Sequence, residues 1–192
     1  MKFSKLVVSW VFMMVSFQAG AAVDQEEVFL RAKAGPSFHS NTGSISSGFG
    51  LGLDMGFNLG GRFGFIASGM INPEDRTSEY SSSSSSDSTT KLETKYFGAG
   101  PTFAVGKGLA SMTVGLQVGV LSLNSEVSTT LIQNKVKVES SSSKVALAPH
   151  IDMNIRIIAG LLGTVSLKYI AALGDSPNPS VFYPTAGVGY QF

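Results

Sequence analysis

Along residues 46–60 the chain alternates with a period of two. Phe49, Leu51, Leu53, Met55, Phe57 and Leu59 take the odd positions, and Gly48, Gly50, Gly52, Asp54, Gly56 and Asn58 the even ones. Successive side chains of a strand point to opposite faces, so one face here is apolar and the other small and polar. A soluble sandwich would carry Lys, Glu and Thr on its outer face. Glycine weakens a strand and is useful only where space is tight. The pattern therefore predicts a wall with an apolar medium on one side and a cramped polar interior on the other.

The same parity test finds seven more strands. In residues 28–38, Val28, Leu30, Ala32, Ala34 and Phe38 oppose Arg31, Lys33 and Ser37. In 62–72, Phe63, Phe65, Ala67 and Ile71 oppose Arg62, Gly64, Ser68 and Asn72, with Ile66 and Met70 off the pattern. Residues 94–106 and 110–120 alternate in the same way. In 145–157 the polar set is His150, Asp152, Asn154 and Arg156, and in 164–173 it is Thr164, Ser166 and Lys168. The last segment, 182–192, ends on a terminal aromatic after Pro184, Ala186, Val188 and Tyr190. Eight such segments predict an all-β fold, a transmembrane antiparallel up-and-down β-barrel of eight strands.

The connections alternate in length. Residues 60–61, 106–108 and 158–163 are short and rich in glycine, as periplasmic turns are. Residues 39–45, 73–92, 124–143 and 174–181 are polar and are expected outside the cell as loops. Two of them hold serine runs, 81–86 and 140–143, which bury little and are expected to be mobile. Val127, Thr129 and Leu131, then Val136 and Val138, still alternate, so this hairpin should continue the sheet above the membrane. A bulge is expected between residues 120 and 123, where the parity of the apolar residues changes.

The first residues carry Lys2 and Lys5, an apolar run over 6–17, and small residues through Ala22. This reads as a signal peptide over residues 1–22, too short to cross a bilayer as a helix, followed by one barrel domain over 23–192. A cleaved leader and a two-solvent wall together place the chain in the outer membrane of a Gram-negative bacterium. The net charge is +1, which gives no field to gather nucleic acid, and there is no cysteine for a disulfide or a lipid anchor.

With its leader, eight alternating segments and Tyr190-Gln191-Phe192 ending, the chain resembles the small OmpA/OmpX-like outer-membrane barrels. The resemblance implies that Phe192, Tyr190, Val188 and Ala186 form the signal read by the barrel-assembly machinery, and that outer-membrane lipid and lipopolysaccharide surround the wall. Some eight-stranded barrels are lipid A-modifying enzymes that use a lipid-facing His with Ser.

Candidate chemistry lies at the inward positions, Arg31, Lys33, Asp54, Asn58, Arg62, His150, Asp152, Asn154, Arg156 and Lys168. Charges in so narrow a lumen must pair or keep water. Asp54 and Asp152 are expected to pair with some of Arg31, Arg62, Arg156 and Lys168, giving a polar plug in place of an apolar core. The alternative is a narrow passive pore with a slight preference for anions. His150 and Asp152 share a face, but His39 is expected in the first outer loop, so no ligand set for a metal is complete and no cofactor is expected. Gly48, Gly50 and Gly52 are followed by no helix, and the glycine spacing over 100–108 does not match a phosphate loop. The expected role is non-enzymatic: structural or adhesive, through extracellular loops that meet a host or surface ligand, with the pore second and the lipid A enzyme third.

Overall fold

The computed structural model describes residues 27–41, 44–59, 62–81, 86–106, 109–131, 134–174 and 178–192. Eight strands fill most of them: β1 (Glu27–Asn41), β2 (Ser44–Asn58), β3 (Phe63–Ser81), β4 (Ser86–Val105), β5 (Ala110–Leu131), β6 (Asn134–Ile158), β7 (Leu161–Ala172) and β8 (Ser180–Gln191). Each pairs antiparallel with the next, and β1 pairs with β8, Arg31 lying opposite Gly189, so the sheet closes into a barrel. The predicted leader lies outside the described residues, as do the turn residues 60–61 and 107–108 and residues 82–85 of the first serine run. Ala159 and Gly160 alone turn the chain between β6 and β7, a tighter turn than the expected 158–163, and Gly160 has a φ of 78° that other residues adopt at a cost.

The period of two decides which side chains face out. Leu53, Met55, Val118, Ile155 and Val188 are all more than half exposed, while the chain neighbours Asp54, Gln117 and Asn154 are buried inside. On β6 the outward apolar run extends from Ile157 to Val145. At about 3.3 Å per residue and a tilt of roughly 40°, that run rises about 30 Å, close to the thickness of a hydrocarbon layer. Aromatic pairs mark the two margins of this band. Phe63 meets Phe103 edge-on at 5.3 Å and Tyr190 meets Phe192 at 4.9 Å near the tight turns, while Phe38 stacks on Phe182 at 6.3 Å near the other end.

The polar stretches expected as loops are mostly strand. β3 to β6 have 19, 20, 22 and 25 residues, against 12 for β7 and β8. A ladder needs only backbone donors and acceptors, and Ser and Thr pair well across it, so an apolar face is not required. The serine run 140–143, expected to be mobile, is paired with residues 122–125 of β5. Ser122 and Ser143 hydroxyls meet at 2.8 Å, Ser141 donates to Asn124 at 2.8 Å, and Asn124 donates to Glu93 at 3.0 Å.

No bulge separates residues 120 and 123. Val120 faces Val145 and Leu123 faces Ser142 in one unbroken register, so Leu121 and Leu123 simply turn inward. Register shifts lie instead between Asn72 and Asp75 on β3, in its pairing with β4, and between Arg156 and Ile158 on β6, in its pairing with β7.

Candidate functional site

Five ionisable side chains meet inside the barrel, three from β1 and β2 and two from β6 and β7. Arg31 and Lys33 stand on β1, Asp54 lies opposite Arg31 on β2, Asp152 projects from β6, and Lys168 lies opposite His150 on β7. Lys33 sits between the two carboxylates, in a close ion pair with Asp54 and 2.9 Å from Asp152. Arg31 Nη2 lies 3.0 Å from Asp152 Oδ2 and 3.7 Å from Asp54, and Nη1 donates to Asn154 Oδ1 at 2.9 Å. Lys168 is 3.7 Å from Asp54 and donates to Gln117 Oε1 at 3.3 Å. Ser166 donates to Asp152, and Thr164 donates to Asn154 at 2.9 Å. The belt is buried: Asp152 is 0% exposed and Arg31 2%. Such charges persist only because each has an opposite charge or hydrogen bond within reach.

Glycine on the neighbouring strands makes the room. A Cβ on Gly189 would run into Arg31 Cγ, and one on Gly115 into the His150 ring. This is the physical use of the small inward residues seen in the alternation.

Arg31 and Lys168 pair with the two carboxylates as expected, and Lys33, not among the expected partners, joins them. The partners of Asp54 and Asp152 are Arg31, Lys33 and Lys168, whereas Arg62 and Arg156 lie half-buried and exposed at the tight-turn end. Parity gives the face of a side chain but not its height, and the barrel's stagger places these two arginines at the rim. Asn58 lies at the same end, half-buried beside Gly64. His150 is inside and 3.9 Å from Asp152, with neither ring nitrogen hydrogen-bonded to protein.

A second layer, one pleat nearer the long hairpins, is apolar. Met70, Tyr96, Leu121, Ile170, Val181 and Tyr183 pack together over Ala146, Ala148 and Ala172. The interior is thus not purely polar, and the plug does not replace an apolar core but lies beneath one. The sequence did carry a signal for this layer: Met70 breaks its segment's alternation, and Leu121 and Ile170 are large apolar residues at inward parity.

Above this layer, His39 belongs to β1 and faces inward, 3% exposed, rather than lying in an outer loop. Its Nε2 is 3.3 Å from Ser37 Oγ and 2.7 Å from Asn72 Nδ2, and Thr94 faces Nδ1 at 3.4 Å. The Ser37–His39 pair points into the lumen, away from the outward apolar face. Among the described residues no group of three His, Cys, Asp or Glu could hold a metal ion.

The terminal residues Ala186, Val188, Tyr190 and Phe192 form an outward-facing row, Phe192 being 73% exposed. Phe192 N–H donates to the Val28 carbonyl at 2.9 Å, so the row is tied to β1 at the seam of the barrel.

No family model matches the chain, and no curated protein matches it by sequence. Solved structures do match its shape. Neisserial surface protein A aligns over 86% of this chain and 97% of its own, with a TM-score of 0.60 and 12% identity. Ail, the attachment invasion locus protein of Yersinia pestis, solved with the heparin analogue sucrose octasulfate, aligns over 88% of this chain and 99% of its own, with a TM-score of 0.56 and 18% identity. The fold is that of the small eight-stranded outer-membrane barrels. At these identities the likeness is one of architecture.

Proposed function

We propose that this chain is an outer-membrane barrel with a filled lumen, whose role is structural and adhesive and is carried by the sheet that β3 to β6 raise above the membrane. The observation that carries this reading is the contrast in strand length around one barrel. β5 and β6 stay paired from Ala110 opposite Ile155 to Leu131 opposite Asn134, well past the last pair of β6 with β7 at Ala146 and Ala172. Above Val145 the outward face of the same strands changes to Ser143, Ser141 and Glu139, as it should on leaving hydrocarbon for water. On this reading residues 1–22 are a cleaved leader and residues 23–192 the barrel. Ala186, Val188, Tyr190 and Phe192 present the assembly signal to the barrel-assembly machinery, and lipopolysaccharide surrounds the outer margin.

The lumen supports a plug over a pore. Charged, apolar and His39-centred layers follow one another along its axis, each made of buried side chains. A non-enzymatic role is supported by the placement of Ser37 and His39 inside, out of reach of a lipid on the outer wall. The partner we propose is a protein surface. Ail binds a sulfated sugar analogue in its crystal, but here the raised sheet carries both signs, with Lys95 2.9 Å from Glu93 and Lys137 2.7 Å from Glu139. A mixed face suits a mixed partner better than a uniform polyanion.

Replacing residues 125–140 by a short turn tests the proposal. The variant should still fold and insert, and adhesion of cells displaying it should fall to that of cells without the protein. Unchanged adhesion would refute the surface role, and discrete conductance steps from the intact protein in planar bilayers would favour the pore.

A further inference from the structure

We infer that the periplasmic end of the barrel holds a binding site for one small monovalent anion, of the size of chloride, against the guanidinium of Arg31. The inference goes beyond the adhesive role and is independent of it.

Among the described residues the buried belt does not balance. Arg31, Lys33 and Lys168 supply three positive charges, and Asp54 and Asp152 supply two negative ones. His150 and Tyr96, which also border the belt, add no negative charge. An uncompensated buried charge is costly, and it is relieved by a counter-ion or a proton lost.

The three nitrogens of Arg31 are used unequally. Nη1 donates to Asn154, and Nη2 makes a charge contact with Asp152 that lacks hydrogen-bond alignment. Nε has no protein acceptor, although the residue is 98% buried. The guanidinium carbon lies over the Phe29 ring, 4.3 Å from its centre.

Beside it lies a cavity of about 70 Å³, lined by Phe29, Arg31, Asn58, Ser111, Thr113 and Asn154 among others. That is room for a few water-sized particles. Hydroxyls and amides can turn donors towards an anion, and among the described residues no Asp or Glu lines the space. A cationic, donor-lined cavity next to one unbalanced positive charge fits a single monovalent anion. Its volume admits a halide. The belt and the apolar layer above it make this a dead end reached from the periplasm, so the site binds an ion without conducting one.

The test uses the intact protein in detergent, with bromide as probe. Crystals soaked in bromide should show one anomalous peak within hydrogen-bond distance of Arg31 Nε. The thermal unfolding midpoint should rise when gluconate is replaced by bromide or chloride at constant ionic strength. Asn58→Leu fills the cavity while leaving the belt intact, and it should abolish both the peak and that rise. Arg31→Gln should do the same if it folds. No peak together with equal midpoints in the two salts would overturn the inference and leave water as the occupant. A peak without a change in midpoint would mean binding at crystal concentration only, and a rise that survives Asn58→Leu would place the ion elsewhere. Each of these results also counts against the inference, and none bears on adhesion.

Discussion

β4 to β6 pass through two environments without a break in the ladders between them, and the two halves of these strands are built differently. In the lower half the outward face is Val118, Val120 and Val145, and the inward face is Gln117, Asp152 and Asn154. In the upper half the outward face is a lattice of polar contacts, Lys137 to Glu126 at 3.1 Å, Lys95 to Glu93 at 2.9 Å and Ser122 to Ser143 at 2.8 Å. The backbone is the same in both. What changes is which face must satisfy its polar groups within the protein and which can leave them to water. Charges inside the barrel are held rigidly by burial, whereas charges on the raised sheet are solvated and contribute little to stability.

The largest difference should come from breaking one charge in each half. Asp152→Ala leaves Arg31 and Lys33 short of a buried partner and should cost about 3–5 kcal/mol. Glu126→Ala should leave the unfolding midpoint unchanged. Urea titration of the folded barrel, followed by its heat-modifiable gel mobility, gives both values, and equal losses would erase the contrast.

A charge placed on the outward face should sharpen it next. Leu53→Lys, in the middle of the apolar band, should cost about 2–4 kcal/mol, and Ser143→Lys, just above it, about 0–1 kcal/mol. Equal costs at the two positions would mean that the hydrocarbon boundary does not fall between Val145 and Ser143.

The smallest effect is that of pH on the raised sheet. The hydrogen bond from Lys137 holds the Glu126 carboxyl below the usual range, and Lys95 does the same for Glu93. Glu139, and then Glu126, push Lys137 above its ordinary value. A depressed carboxylate contributes stability above its unfolded pKa and loses it as pH falls through the folded value. Lys137 contributes below the ordinary lysine value and loses its contribution as pH rises through the raised one. The cross-strand contacts should therefore hold at neutral pH and loosen first on acidification below the carboxylate range. Amide protection over residues 126–139 should drop there before it does over residues 146–154, and simultaneous loss would contradict this order.

Both halves show how far the chain can be read unaided. Leu53 beside Asp54 and Ile155 beside Asn154 already tell which face is apolar, because strand geometry alternates side chains whatever surrounds them. Serines 140–143 could not be read in this way, since their pairing with β5 depends on backbone hydrogen bonds that leave no mark in hydropathy. Lys33 was legible as an inward residue but not as the centre of the belt, because its distance to Asp152 is set across the lumen by residues 119 positions away.

Local alternation therefore determined the eight-stranded fold, the two faces and the inward set of Arg31, Lys33, Asp54, Asp152 and Lys168. Closure of the sheet decided the rest. Stagger between strands sets the height of each side chain, and height alone separates the belt from Arg62 and Arg156 at the rim, from the layer of Met70 and Leu121, and from His39 at the mouth. Period two is a property of single residues, but height in a barrel is a property of the whole closed ring.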